Sequence, residues 1–138
     1  MRRARPVERG TLRCVGSLFT VVESSSASTI VAFVGMLDAA AMESTSGAVN
    51  AALDGIRTPL IVDLSGVTFI SSCAMGILMQ RAMKLAADGL GTALITRPGA
   101  IDHAIRAAKL DAVIHVTDSL SVARELAAKP PKGQVRRR

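Results

Sequence analysis

Aromatic side chains are nearly absent from this sequence of 138 residues, which contains no Trp, no Tyr and only Phe19, Phe33 and Phe69. Proteins that bind single-stranded nucleic acid without sequence preference commonly stack successive bases on aromatic side chains. Three scattered phenylalanines offer no such platform, so we expect no specific nucleic-acid site.

Long hydrophobic runs are also missing. The longest apolar stretch covers residues 30–37 and ends at Asp38, whereas a membrane-spanning helix needs about 20 apolar residues. No apolar segment follows the basic start of the chain, so the pattern of a secretory signal peptide is absent as well. We therefore expect a soluble, cytoplasmic protein without a membrane span.

Cysteine and histidine are scarce and widely spaced, since the chain contains only Cys14, Cys73, His103 and His115. Zinc sites and disulfide frameworks need more such residues at closer spacing. The sequence has no Gly-rich phosphate loop followed by Lys and no dinucleotide-binding fingerprint. No Ser, His and acid constellation stands out either. These absences predict a protein that has no metal or cofactor and is not an enzyme.

Positive charge is abundant, with a formal net charge of +6, but it is concentrated at the two ends of the chain. Residues 1–13 and 129–138 together hold ten of the 17 basic residues and one acidic residue, Glu8. Residues 14–128 hold seven basic and ten acidic residues. We predict a folded domain over residues 14–128 between two flexible basic tails. Such tails contact polyanions weakly and without reading sequence.

The spacing of apolar residues predicts the order of elements within this domain. Five strands are expected, at residues 18–23, 29–34, 60–64, 92–96 and 113–116. A serine-rich hairpin loop joins the first two strands. Four helices are expected, at residues 39–53, 72–87, 98–110 and 120–128. The strand, helix and strand between residues 60 and 96 have the length of a crossover between parallel strands. The pattern therefore predicts an α/β fold, a mixed β-sheet with about four helices packed against it.

Two segments of the chain carry a family resemblance. Residues 62–76, VDLSGVTFISSCAMG, resemble the signature of the STAS family, the sulfate transporter and anti-sigma factor antagonist domains. In that family an apolar strand ends in Asp-Leu and is followed by S-x-V-x-F-[IM]-D-S-[ST]-G-[LI]-G at the start of a helix. Residues 35–38, GMLD, are similar to the family's G-x-L-D turn. The resemblance covers about residues 17–128 and implies a STAS-like sheet.

Free-standing STAS domains of this size resemble bacterial anti-sigma factor antagonists, so the resemblance implies a binding switch. In that family a protein serine kinase, which is also the anti-sigma factor, phosphorylates the serine after the motif aspartate. The unphosphorylated antagonist binds the anti-sigma factor and thereby releases a sigma factor for transcription. The resemblance places the phosphoacceptor at Ser72. The partner-binding residues that it implies are Asp38, Ser71, Ser72, Cys73 and Ala74.

Three of these positions depart from the family pattern: Ser71 replaces the aspartate, Cys73 the second serine or threonine, and Ala74 the glycine. A phosphate on Ser72 would meet free amide groups and the positive end of a helix dipole. Regulated phosphorylation and helix capping alone therefore both stay open for Ser71 and Ser72. We expect Cys73 to be a small buried residue. Its alternative is a redox role, with Cys14 or with another chain.

Other functions remain as alternatives at this point. The first is a STAS adaptor subunit of a larger signalling or transport complex. The second is a nucleotide-binding sensor, against which the missing phosphate loop argues. A homodimer is also left open.

Overall fold

The computed structural model describes residues 8–15, 18–37 and 55–129, with side chains from residue 20 onward. The strands are β1 Glu8–Val15, β2 Leu18–Ser24, β3 Thr29–Leu37, β4 Leu60–Ile70, β5 Thr92–Ile95 and β6 His115–Thr117. The α-helices of the described residues are α1 Ser72–Ala87, α2 Ala100–Ala107 and α3 Leu120–Ala127. A short 3-10 turn, Leu110–Ala112, precedes β6. The helix predicted at residues 39–53 lies outside the described residues.

The strands form one mixed sheet in which spatial order follows chain order, β1 to β6. The strand β2 runs antiparallel to both β1 and β3, and β3 to β6 run parallel to one another. The predicted hairpin joins β2 to β3, and its loop is closed by a 2.9 Å hydrogen bond from the Ser25 N–H to the Ser28 carbonyl. The predicted crossover joins β4 to β5 through α1. The expected α/β class with a mixed sheet is confirmed.

The sequence predicts a flexible tail over residues 1–13, but the structure has a strand, β1, in the second half of this stretch. Glu8–Val15 instead pairs with β2 at the edge of the sheet, so the tail prediction is wrong for residues 8–13. The arginines in this stretch hide its β character in the sequence. An edge strand tolerates and even favours such charge, because one of its sides has no neighbouring strand.

One face of the sheet is covered by α1, whose buried residues are Ala74, Leu78, Ala82 and Leu85. Intervals of three and four residues place all four on one side of the helix. They join a core that includes Phe33 of β3 and Val62 of β4. This packing fixes α1 along the sheet, with its first residue just after the end of β4.

The opposite face is covered in part by α3. Ala123 and Ala127 pack there against Ile61, Ala93 and Ile95. The small side chains of α3 let its backbone approach the central strands closely. Helices thus lie on both faces of the sheet, and the first residues of β4 are buried on both sides. The unbroken apolar run at residues 60–62 is typical of such a strand.

A hydrogen-bonded cluster ties α2 to the end of β5. The Asp102 carboxylate accepts hydrogen bonds from Nε of Arg106, at 3.0 Å, and from the hydroxyl of Thr96, at 2.8 Å. The bond from Arg106 and then the bond from Thr96 lower the pKa of Asp102 below its usual value. The carboxylate is thus held in its charged form at the start of α2, where negative charge also suits the helix dipole.

No helix within residues 8–15, 18–37 and 55–129 is long and apolar enough to cross a membrane. In the same residues, no group of three or more His, Cys, Asp or Glu side chains could hold a metal ion.

Candidate functional site

Ser71 makes the turn between β4, which ends at Ile70, and α1, which begins at Ser72. Its backbone is extended, with φ −86° and ψ 162°, and its hydroxyl accepts a 3.1 Å hydrogen bond from the Ala74 N–H. This is N-cap geometry, in which a side-chain oxygen satisfies an amide that the first turn leaves unpaired. The capping interpretation of Ser71 is confirmed, and the hydroxyl fills this role where the family pattern has a carboxylate.

Substitution of Ser71 by alanine should lower the free energy of unfolding by about 1 kcal/mol, because the cap is lost. Ser71→Asp should keep the stability, since aspartate is an equally good cap. The matched control is Ser72→Ala one residue further on, which removes an exposed hydroxyl. Urea unfolding followed by circular dichroism gives the free energy of unfolding of all three variants. Equal stability of Ser71→Ala and Ser72→Ala would contradict the capping role.

Ser72 is the first residue of α1, and its side chain is exposed. The first turn of the helix contains no acidic residue. The positive end of the helix dipole is therefore not offset by a side chain of that turn. The Ser72 hydroxyl is thus open to a second protein, in surroundings that favour negative charge.

The start of α1 is joined to the end of β3. The Ser71 N–H donates a 2.8 Å hydrogen bond to the Leu37 carbonyl, and Leu37 is the register partner of Ile70. Leu37 precedes Asp38 in the sequence, so the G-x-L-D segment and the Ser71 turn meet at one end of the sheet. Asp38 lies outside the described residues, and its role in partner binding stays a prediction.

Cys73 and Ala74 have opposite surroundings. Ala74 is only 2% exposed and belongs to the core, whereas Cys73 is exposed and free. The expectation that Cys73 is a small buried residue is therefore wrong. Successive residues of a helix point about 100° apart, so the burial of Ala74 turns Cys73 towards solvent.

A disulfide between Cys14 and Cys73 of one chain does not fit the sheet. Cys14 pairs with Phe19, Phe19 with Val34 and Val34 with Gly66, across β1 to β4. Three inter-strand spacings separate β1 from β4 by about 14 Å. A disulfide needs Cα atoms within about 7 Å, and Cys73 lies beyond the end of β4. A bond to another chain remains the redox alternative.

The exposed Cys73 thiol should react with iodoacetamide in the folded protein about as fast as it does in urea. Mass mapping of peptides after brief labelling measures Cys73 separately from Cys14. The Cys73→Ser variant shows which peptide carries the label. Protection of Cys73 until the protein is unfolded would contradict its exposure.

An exposed apolar pair beside the start of α1 was not predicted from the sequence. Met36 of β3 and Phe69 of β4 are register partners and are 38% and 46% exposed. Both side chains therefore lie on one face of the sheet, near the turn at Ser71. The sequence hides them because β3 is apolar on both faces, and no polar alternation marks the side that faces solvent.

Comparison with known protein families identifies the domain. The model of the STAS domain family matches residues 19–123. The chain therefore belongs to the STAS family, as the motifs at residues 35–38 and 62–76 indicate.

Two solved structures show what this chain is similar to. One is an anti-sigma factor antagonist from Mycobacterium paratuberculosis, 26% identical, which matches with a TM-score of 0.70 over 80% of this chain and 94% of that chain. The other is the anti-sigma factor antagonist SpoIIAA in its unphosphorylated form, 16% identical, with a TM-score of 0.53 over 83% and 92% of the two chains. The second similarity shows the fold alone. A comparison with curated proteins gives no match.

Proposed function

We propose that this chain is an anti-sigma factor antagonist, which binds an anti-sigma factor and so frees a sigma factor for transcription. The observation that carries the proposal is the exposed Ser72 at the start of a capped helix, at the serine position of the STAS signature. The similarity to the Mycobacterium paratuberculosis antagonist supports it. The role requires binding and no catalytic group on this chain.

The surface that we assign to the anti-sigma factor combines polar and apolar groups. It consists of the turn and the first exposed residues of α1, from Ser71 to Cys73, with the apolar pair Met36 and Phe69 beside it. Ala74, which the sequence analysis included, is buried in the core and is not part of this surface. Protein interfaces are enriched in Met and Phe and place such side chains at their centre. Asp38, directly after β3, completes the predicted surface.

The partner that we propose is of the protein serine kinase type. It would transfer the terminal phosphoryl group of ATP to the Ser72 Oγ, with the hydroxyl proton passing to a base of the kinase and ADP leaving. The phosphate would lie at the positive end of α1, so the domain would stay folded. A partner packed against Ser72 would instead meet a charge of about −1.5 to −2. This would dissociate the complex without unfolding the antagonist.

Replacement of Phe69 by alanine should weaken binding of the anti-sigma factor about tenfold, because a half-exposed aromatic side chain is a typical interface anchor. The matched control is Leu120→Ala on α3, since Leu120 is 42% exposed and lies in another part of the protein. Calorimetric titration against candidate anti-sigma factors measures both variants. Equal affinities of the two variants would contradict the proposed surface.

The same titration distinguishes the antagonist from the adaptor alternative. Binding to an anti-sigma factor supports the proposal. If no anti-sigma factor binds and subunits of a scaffold or a transport complex co-purify with the chain, the adaptor function is correct instead.

Removal of residues 129–138 should leave the affinity for the anti-sigma factor unchanged, because these residues lie outside the matched domain.

A further inference from the structure

An open groove of about 280 Å³ lies at the far end of α1 from Ser72. Twelve residues separate Ser72 from Lys84, which corresponds to about 18 Å along a helix. The described residues that line the groove come from the segment before β4 and from the last turns of α1: Gly55, Ile56, Arg57, Arg81, Lys84, Leu85 and Asp88. The groove is therefore separate from the surface assigned to the anti-sigma factor.

Positive charge is concentrated in this groove. Arg57, Arg81 and Lys84 line it, against one described carboxylate, that of Asp88. Arg81 and Lys84 of α1, and Asp88 directly after it, follow one another at helical spacing along one side of the helix. Arg57 and Lys84 are exposed, and neither forms an ion pair within residues 55–129.

The surrounding domain makes this concentration of charge unusual. Residues 14–128 contain more acidic than basic residues, seven basic against ten acidic, and three of the seven basic residues line this one groove. A group of cations that outnumbers the carboxylates beside it attracts anionic partners and sets the orientation in which they dock.

The rest of the lining indicates which kind of anion fits. Ile56 is half-buried and packs against the core cluster that contains Leu85, and both residues line the groove. A lone phosphate ion would gain nothing from these apolar side chains. A peptide that carries carboxylates and an apolar side chain would pair with the cations and pack on the apolar lining residues at the same time.

We propose that this groove binds an acidic segment of a partner protein. Its carboxylates pair with Arg57 and Lys84, and one of its apolar side chains packs on Ile56. This second interface does not depend on the proposed antagonist function, because it uses neither Ser72 nor the residues around it.

The test measures binding of a labelled peptide of six glutamates and two leucines to the full chain by fluorescence anisotropy. The salt concentration is about 0.1 M, at which surface charges more than about 10 Å apart are screened from each other. The double variant Arg57→Glu/Lys84→Glu should bind the peptide about tenfold more weakly than the native chain. The matched control, Arg97→Glu/Arg124→Glu, makes the same change in net charge at two exposed sites outside the groove. It should weaken binding about twofold at most.

A gain of affinity provides a second readout. Asp88→Asn removes the described carboxylate of the groove and should tighten peptide binding about twofold. A peptide with glutamine in place of glutamate should lose binding to every variant.

Two results would overturn the proposal. Equal weakening by the groove variant and by the control would mean that the peptide responds to net charge alone. Displacement of the peptide by inorganic phosphate, but not by sodium chloride of equal ionic strength, would mean that the groove recognises a phosphate group rather than an acidic segment. Loss of anti-sigma binding in a Ser72 variant bears on the proposed function and leaves this result unaffected.

Discussion

Replacement of Ser72 by glutamate is expected to weaken anti-sigma binding by about 30-fold or more. In the proposed complex the partner covers the start of α1, so the new carboxylate loses its water and finds no cation in the first turn. An unpaired charge buried in an interface costs at least about 2 kcal/mol, which corresponds to about 30-fold in affinity. The fold itself should not suffer, because negative charge is favourable at the start of a helix.

The control for this substitution is Ser72→Ala, which removes the hydroxyl without adding charge and should bind the anti-sigma factor normally. Calorimetric titration gives both affinities, and urea unfolding shows that both variants are folded. With ATP present, intact mass should show one added phosphate on the native chain and none on Ser72→Ala. Normal affinity of Ser72→Glu would show that the partner does not cover Ser72.

The second large effect is expected at Gly91, where the chain enters β5. A Cβ atom at this position would lie 2.6 Å from the Ala127 carbonyl oxygen and 2.7 Å from that of Lys129. Both atoms belong to the backbone at the end of α3, so no side chain can rotate away to make room. Gly91→Ala should therefore lower the free energy of unfolding by about 2–3 kcal/mol, as overpacking commonly does.

Gly76→Ala is the matched control for the effect at Gly91. Gly76 is exposed within α1, and a Cβ atom there would contact nothing within 4 Å. This alanine should raise the stability by up to about 1 kcal/mol, because alanine is the better helix former. Urea unfolding of the two variants should give opposite shifts. An unchanged stability of Gly91→Ala would mean that α3 ends further from β5 than the structure shows.

An element of the fold could be predicted where independent signals in the same segment agree. The helix at residues 72–87 was predicted with its observed bounds, because its apolar spacing and its serine cap agree. The strand β1 was missed because its arginines break the apolar pattern. The strand β4 was predicted to end at residue 64 but continues to Ile70, since pairing with β3 supports a stretch that contains Gly66 and Thr68.

The candidate site could be predicted in position and only partly in detail. The motif located the turn before α1, and the capping alternative for Ser71 followed from its hydroxyl. The outward direction of Cys73 could not be predicted, because it depends on how Ala74 packs in the core. The exposed pair of Met36 and Phe69 depends on the register between β3 and β4, which the sequence alone does not set.

The most direct test of the proposed function is displacement of a sigma factor. The purified chain is added to a preformed complex of an anti-sigma factor and its sigma factor, and native mass spectrometry records every species. Our account predicts free sigma factor and a new complex of this chain with the anti-sigma factor, in equal amounts, and neither product when Ser72→Glu is added. A sigma factor that stays bound while the native chain remains free would contradict the account.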